Sequence, residues 1–279
     1  MTTRLSNEKL PIYLPPPAVR RRQLWRWAAS GVVLLVVALS FTGSEVSLPR
    51  LAQGSVNIFH YLFGSAERPK SGYFPPDFSN LVVYLQQMLL TVKMAVVGTA
   101  GAVLIAIPLS FLAASNTAPN RFVYQFTRRL LDLFRGVPLI VMALIFVAAV
   151  GLGPFPGIMA LVFHTAGILG KLFAEGIEDI DAGQVEAVRA TGAHPVQVLA
   201  RGVWPQIIPH LLSMTLYRFE SNVRDSTLLG IVGAGGIGYY ITEAIRGFDS
   251  RSASAILIII LGSVFLIDFL SAKLRERLS

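Results

Sequence analysis

The chain contains no cysteine and little charge: Asp, Glu, Lys and Arg make up 14% of its 279 residues, against about 25% in an ordinary soluble domain. The missing cysteine excludes a disulfide framework, a thiolate nucleophile and a Cys-ligated metal site. The shortage of charge, with 53% hydrophobic residues and a mean hydropathy of +0.60, excludes an ordinary soluble domain. The charge present is unbalanced, with 24 Lys and Arg against 16 Asp and Glu and a net charge of +8. A basic chain of this kind suggests nucleic acid, but long uncharged runs leave little polar surface to meet it. The composition reads instead as an all-α, polytopic membrane protein.

Residues 1–24 form a basic tail in which Pro11, Pro15, Pro16 and Pro17 favour an extended chain ahead of Arg20, Arg21 and Arg22. Residues 25–43 predict a first membrane helix, with Trp25 and Trp27 suited to the interface; Ala38-Leu39-Ser40 also imitates a signal-peptidase site, so anchor and cleaved signal both stay open. Residues 44–80 read as an extracytoplasmic loop and 81–279 as a transmembrane domain. Within it, uncharged runs at 94–114 (led into by 81–92), 136–153, 158–173 if slightly extended, 203–219 and 252–267 complete a set of six spans. At 1.5 Å per residue such runs cross a hydrocarbon core of about 30 Å. With the amino terminus cytoplasmic, fifteen Lys and Arg fall inside, five outside, and four (Lys93, Arg135, Arg218 and Arg224) in or beside spans. That excess predicts both termini on the cytoplasmic side of the membrane. Lys93 then sits at the outer interface, just ahead of the 94–114 span.

The polar loop 175–205 carries Glu186-Ala187-Val188-Arg189-Ala190-Thr191-Gly192, then Ala193-His194-Pro195 and Val203-Trp204-Pro205. This pattern predicts a short helix, a break at Gly192 and a second short helix. Small side chains at Ala187 and Ala190 let another surface approach closely; an ordinary interfacial helix pair is the plain alternative. Glu-Ala, then Gly192, then Pro205 thirteen positions on, resembles the coupling motif of ABC importer permeases. Val188 stands where a second Ala is usual, and Gly202 where a branched apolar residue is common. The resemblance runs from about residue 81 to the end and implies the type I ABC importer permease fold with six transmembrane helices. It assigns ATPase coupling to Glu186, Ala187, Ala190, Gly192 and Pro205. The partners it implies are a second permease copy forming a homodimer, a cytoplasmic ATPase dimer that binds ATP and Mg, and an extracytoplasmic substrate-binding protein. A phosphate loop in this chain would need G-x-x-x-x-G-K-[ST]; the nearest match, Gly170-Lys171-Leu172, lacks the first Gly and the final hydroxyl.

Gly233, Gly235 and Gly238 satisfy G-x-G-x-x-G, but without a βαβ unit they make no dinucleotide site. Placed outside the cytoplasm between the fifth and sixth spans, residues 224–238 are similar to the polar-then-glycine run of phosphonate-type permeases. The resemblance implies a phosphorus oxyanion (phosphonate, phosphite or similar) as cargo; methionine, another amino acid or another oxyanion are alternatives, as is an ATP-independent secondary transporter or channel. The substrate pathway is assigned to Arg224, Asp225, Ser226, Thr227, Gly233, Gly235 and Gly236. Successive glycine amides could form an anion nest, with a turn needed only for packing as the alternative. Glu220 with Arg224 and Arg218 with Asp225 are spaced to neutralise one another on α-helical stripes. Arg135 and Pro138 match an Arg-x-x-Pro element common in such permeases, with snorkelling as the alternative. His164 lies in an apolar run with no acid at i±3 or i±4, which suits a helix-packing hydrogen bond. His60, His194 and His210 are isolated too, and no metal cluster is visible in the sequence.

Overall fold

The computed structural model describes residues 17–43, 54, 58–59, 62–64 and 72–276, and the described residues contain helix and turn but no strand. The chain divides into two compact units, residues 1–59 and 60–279. In the first, α1 (Pro17–Gly43) opens at a proline, the residue whose fixed φ and missing N–H suit a first helical position. The helix therefore takes in Arg20, Arg21 and Arg22, where an extended tail through residue 24 is expected from the sequence. Residues 1–16 and 44–53 lie outside the described residues, as does much of the rest of the expected 44–80 loop. The apolar part of α1 is Trp25–Ser40.

The second unit holds α2 (Leu81–Ala113), α3 (Arg121–Gly136), α4 (Leu139–Val150), α5 (Pro154–Glu178), α6 (Ala182–Ala190), α7 (Pro195–Val198), α8 (Trp204–Leu229), α9 (Ile237–Arg246) and α10 (Ser250–Arg275). Among the described residues α2, α5 and α10 are each long and apolar enough to cross a membrane. Two bent pairs, α3 with α4 at 87° and the run ending in α8 with α9 at 47°, bring the number to five if each is one span. Just ahead of α2, the side-chain and backbone donors of Ser79 hold the Asp77 carboxyl below the ordinary carboxylate range.

Three expected spans change shape. The 136–153 run breaks at Val137-Pro138: proline removes an amide donor and disfavours helix in the residue before it, so an amphipathic α3 precedes α4. The 203–219 run continues to Leu229, which puts Arg224 to Thr227 inside α8 instead of in a loop between spans. The 94–114 run begins at Leu81, so Lys93 is an exposed residue twelve positions inside a helix and does not mark its end.

Packing is most extensive between α2 and α5, where a Cβ on Gly98 would stand 2.7 Å from that of Leu161; small residues let membrane helices approach closely. Three apolar clusters stack along the bundle. One, around Tyr84, Val223 and Ile256, joins α2, α8 and α10. A second, around Met94, Leu161 and Ala234, receives the glycine-rich segment. The third, around Ala113, Phe173 and Ile177, carries Val185, Val198 and Val203 of the polar loop.

Candidate functional site

The polar loop folds into an elbow whose two halves are fixed locally. Asp181 caps α6 by accepting from the Gly183 amide at 2.8 Å, and His194 opens α7 in a capping box with Gln197. Between them Gly192 holds a left-handed φ of +74°, a conformation that costs other L-residues about 1–2 kcal/mol. A π-helical turn, Leu199–Val203, leads into α8; such turns are frequent at functional sites. Gln206 ties the halves together: its Oε1 accepts from the Asp181 amide at 3.0 Å and its Nε2 donates to the Gly202 carbonyl at 2.6 Å.

The elbow is two-faced. Val185, Val198, Gly202 and Val203 are buried against the bundle, while Glu186, Ala187, Ala190, Gly192 and Pro205 are all exposed. All five residues assigned to coupling are thus exposed, four on the elbow and Pro205 in the first turn of α8. Glu186 and Arg189 line a cavity of about 290 Å³ with Asn116, Thr117 and Glu178.

The α2–α3 turn beside this cavity is clamped to the end of α5. The carboxylate of Glu178 accepts from the Ser115 amide at 2.7 Å and from Arg128 Nη2 at 2.8 Å, and Asn116 Nδ2 donates to the Ile177 carbonyl at 2.6 Å. Removing a partly buried acceptor strands its donors at about 1–3 kcal/mol. Glu178→Ala is therefore expected to lower the melting temperature of the purified permease by several degrees, about what that loss produces in a domain of this size; an unchanged melting curve would show that the clamp does not stabilise the elbow end. Sequence reasoning gave Glu178 and Gln206 no role, because their partners lie 63 and 25 residues away. A second ionic group sits one turn further along, with Asp132 2.9 Å from Lys171 and 3.2 Å from Arg135, so Arg135 has a carboxylate partner.

The charges of α8 are arranged differently from the expected pairing. Arg218 does face Asp225, at 3.7 Å. Glu220, however, meets Arg275 of α10 at 2.9 Å, and Arg224 meets Asp268 of α10 at 3.7 Å. The i, i+4 geometry permits a Glu220–Arg224 pair, but α10 supplies both residues with an opposite charge on the neighbouring helix. Arg224 is half exposed, and Thr227 donates to its carbonyl at 2.6 Å. Ser226 is buried and donates to the Asn222 carbonyl at 2.6 Å. A polar layer not foreseen from sequence crosses the bundle here. Thr165 donates to Asn222 Oδ1 at 2.9 Å, Asn222 Nδ2 donates to Thr99 at 2.8 Å, and Arg218 Nη2 donates to Asn222 Oδ1 at 3.2 Å.

The glycine-rich segment is built for close packing. Gly233, Gly235 and Gly236 have positive φ and carry the chain through the bend between α8 and α9. The amides of Gly233, Ala234 and Ile237 donate to Gly230, Leu229 and Thr91, so these three donors turn inward and do not converge as an anion nest. Among the described residues, no three His, Asp or Glu side chains gather as a metal site.

Residues 106–279 match the family model described as binding-protein-dependent transport system inner membrane component. HtxC of Stutzerimonas stutzeri is 39% identical over 254 residues, 91% of this chain and 87% of its own. The phosphite transport system permease protein PtxC of the same organism is 45% identical over 202 residues, 72% of this chain and 74% of its own. The phosphate-import permease protein PhnE of Mycolicibacterium smegmatis is 38% identical over 263 residues, 92% of this chain and 47% of its own length. In three dimensions the chain is similar to one from the inward-facing MetNI methionine ABC transporter, with a TM-score of 0.65 at 20% identity over 73% of this chain and 99% of that one.

Proposed function

Because this chain belongs to the family of binding-protein-dependent transport system inner membrane components, we propose that it is the multi-pass permease subunit of an ATP-driven importer for a phosphorus oxyanion. Phosphite and phosphate are the cargoes named for the relatives PtxC and PhnE. The observation that carries the mechanism is the elbow: the coupling-motif residues are exposed on it and at the start of α8, while its other face is buried in the cluster that holds α2 and α5. A cytoplasmic ATPase dimer binding ATP and Mg docks there. Its closure pushes Val185 and Val203 against Phe173 and Ile177, so that the spans move as packed bodies. A second permease copy supplies the other half of the pathway, and an extracytoplasmic binding protein delivers the anion. With both termini cytoplasmic, the elbow faces the ATPase and the loops after α4 and α9 face the binding protein.

Arg224, Asp225, Thr227 and the turn at Gly233, Gly235 and Gly236 lie on or beside the pathway, with Ser226 as packing behind them. The test is uptake of labelled phosphite or phosphate by proteoliposomes holding the permease, its ATPase and its binding protein. ATP-dependent accumulation of a phosphorus oxyanion is the expected result, and accumulation of methionine or sulfate in its place would overturn the cargo.

A further inference from the structure

In the polar layer of α2, α5 and α8, Arg218 is the group whose surroundings leave it unfinished. Only 12% of its side chain is exposed. Nη2 reaches Asn222 Oδ1, which also accepts from Thr165, while Asn222 Nδ2 donates to Thr99. Its carboxylate partner Asp225 stands at 3.7 Å, in ion-pair range but beyond hydrogen-bonding distance. Nε is buried and donates to nothing. His164 of α5 lies within electrostatic reach of both Arg218 and Asp225. Its Nδ1 is also buried with no partner. Arg224 offers no such edge, being half exposed and paired with Asp268. A buried guanidinium with an unpaired Nε donor, held on a platform from three helices, matches the oxygens of a tetrahedral anion. An ionisable group inside a membrane-spanning helix is by default a candidate for the transport route.

We propose that Arg218 and His164 form an oxyanion station in the permease, which takes a singly protonated phosphorus oxyanion in place of the loose Asp225 contact. Arg218 Nε and Nη donate to two oxygens of the anion. His164, as the tautomer protonated on Nε2, presents its unpartnered Nδ1 as an acceptor for the P–OH. Sulfate, which carries no proton at neutral pH, cannot make that last contact. Asp225, a third of whose side chain is exposed, is the opening through which the anion enters and the counter-charge that recovers Arg218 when it leaves.

The inference rests on the phosphorus-oxyanion reading, and two measurements separate them. In proteoliposomes of the complete complex, Arg218→Gln is expected to lower phosphite uptake about tenfold or more while ATP hydrolysis stimulated by the binding protein persists, and Arg218→Lys to recover part of it. If the wild-type complex imports no phosphorus oxyanion, the broader reading fails; if it does and Arg218→Gln imports within about twofold of it, the station alone fails. Because loss of a buried arginine can impair folding, the second measurement keeps it in place. In detergent, without binding protein, millimolar phosphite should raise the melting temperature of Asp225→Asn at least as much as that of the wild-type permease, and sulfate should raise it less. No shift with phosphite, or an equal shift with sulfate, overturns the proposal.

Discussion

A Gly192→Pro permease is expected to insert and to bind its ATPase yet import nothing measurable. Gly192 sits at φ +74° and its amide donates to the Arg189 carbonyl at 3.0 Å. Proline fixes φ near −65° and has no N–H to give, a combination that costs about 3 kcal/mol or more. The hydrophobic seats of both halves, Val185 on one side and Val198 and Val203 on the other, lie in a core the substitution does not touch. The strain is therefore relieved by turning α6 and α7 relative to each other. A change of about 3 kcal/mol between two orientations shifts their ratio by about a hundredfold, enough to misplace Glu186 and Ala187 in nearly every complex. Gly192→Ala is the control: nothing stands within 4 Å of its Cβ, so only the φ penalty of about 1–2 kcal/mol remains and the loss should be partial. Uptake and ATP hydrolysis measured on the same reconstituted complex check both variants, and full uptake by Gly192→Pro would remove the elbow from the coupling path.

Gly238→Ala is expected to be worse, because it should prevent folding. A Cβ at Gly238 would lie 1.8 Å from the Thr227 carbonyl oxygen and 3.1 Å from the Gly230 Cα; one at Gly230 would lie 2.3 Å from the Tyr239 amide. The obstacles are backbone atoms of α8 and α9, which no rotamer change can move. Ordinary overpacking costs about 1–3 kcal/mol through side-chain shifts, and here that route is closed. The bend between α8 and α9 must open, which withdraws Ile237 from the Thr91 hydroxyl that accepts from its amide at 2.9 Å. The fraction of detergent-extracted protein that runs as a single species should fall almost to nothing, whereas Gly262→Ala, with open space around its Cβ, should behave as wild type. A monodisperse Gly238→Ala permease with an unchanged melting curve would contradict the close crossing.

What the sequence made legible was local. The elbow could be read because its capping residues, its glycine and Pro205 lie within about two dozen positions, and each states its backbone requirement by residue type. The Arg218–Asp225 spacing was legible for the same reason. The polar layer was not: Asn222 meets Thr165 across 57 residues and Thr99 across 123, and a lone Asn in a charged helix does not reveal which hydroxyls it will face. Glu220 and Arg224 show how a correct local geometry can mislead, since the i, i+4 spacing exists but α10 brings Arg275 and Asp268 to the same face. The end of the fifth span was misplaced because charges at Arg218 and Glu220 signal an interface on a hydropathy scale, while the folded chain buries or pairs them in the interior of a longer helix.

Asp132, Lys171 and Arg135 form a ring of charge that hydrocarbon cannot cover. α5 continues from Lys171 to Glu178, about 10 Å at 1.5 Å per residue. The elbow therefore hangs on a protein stalk below the last ring of charge, at a height set by helix length and the Glu178 clamp. A thicker bilayer must be accommodated on the other side of that ring, by tilt or stretching near α9. The height of the elbow is thereby insulated from the length of the surrounding acyl chains.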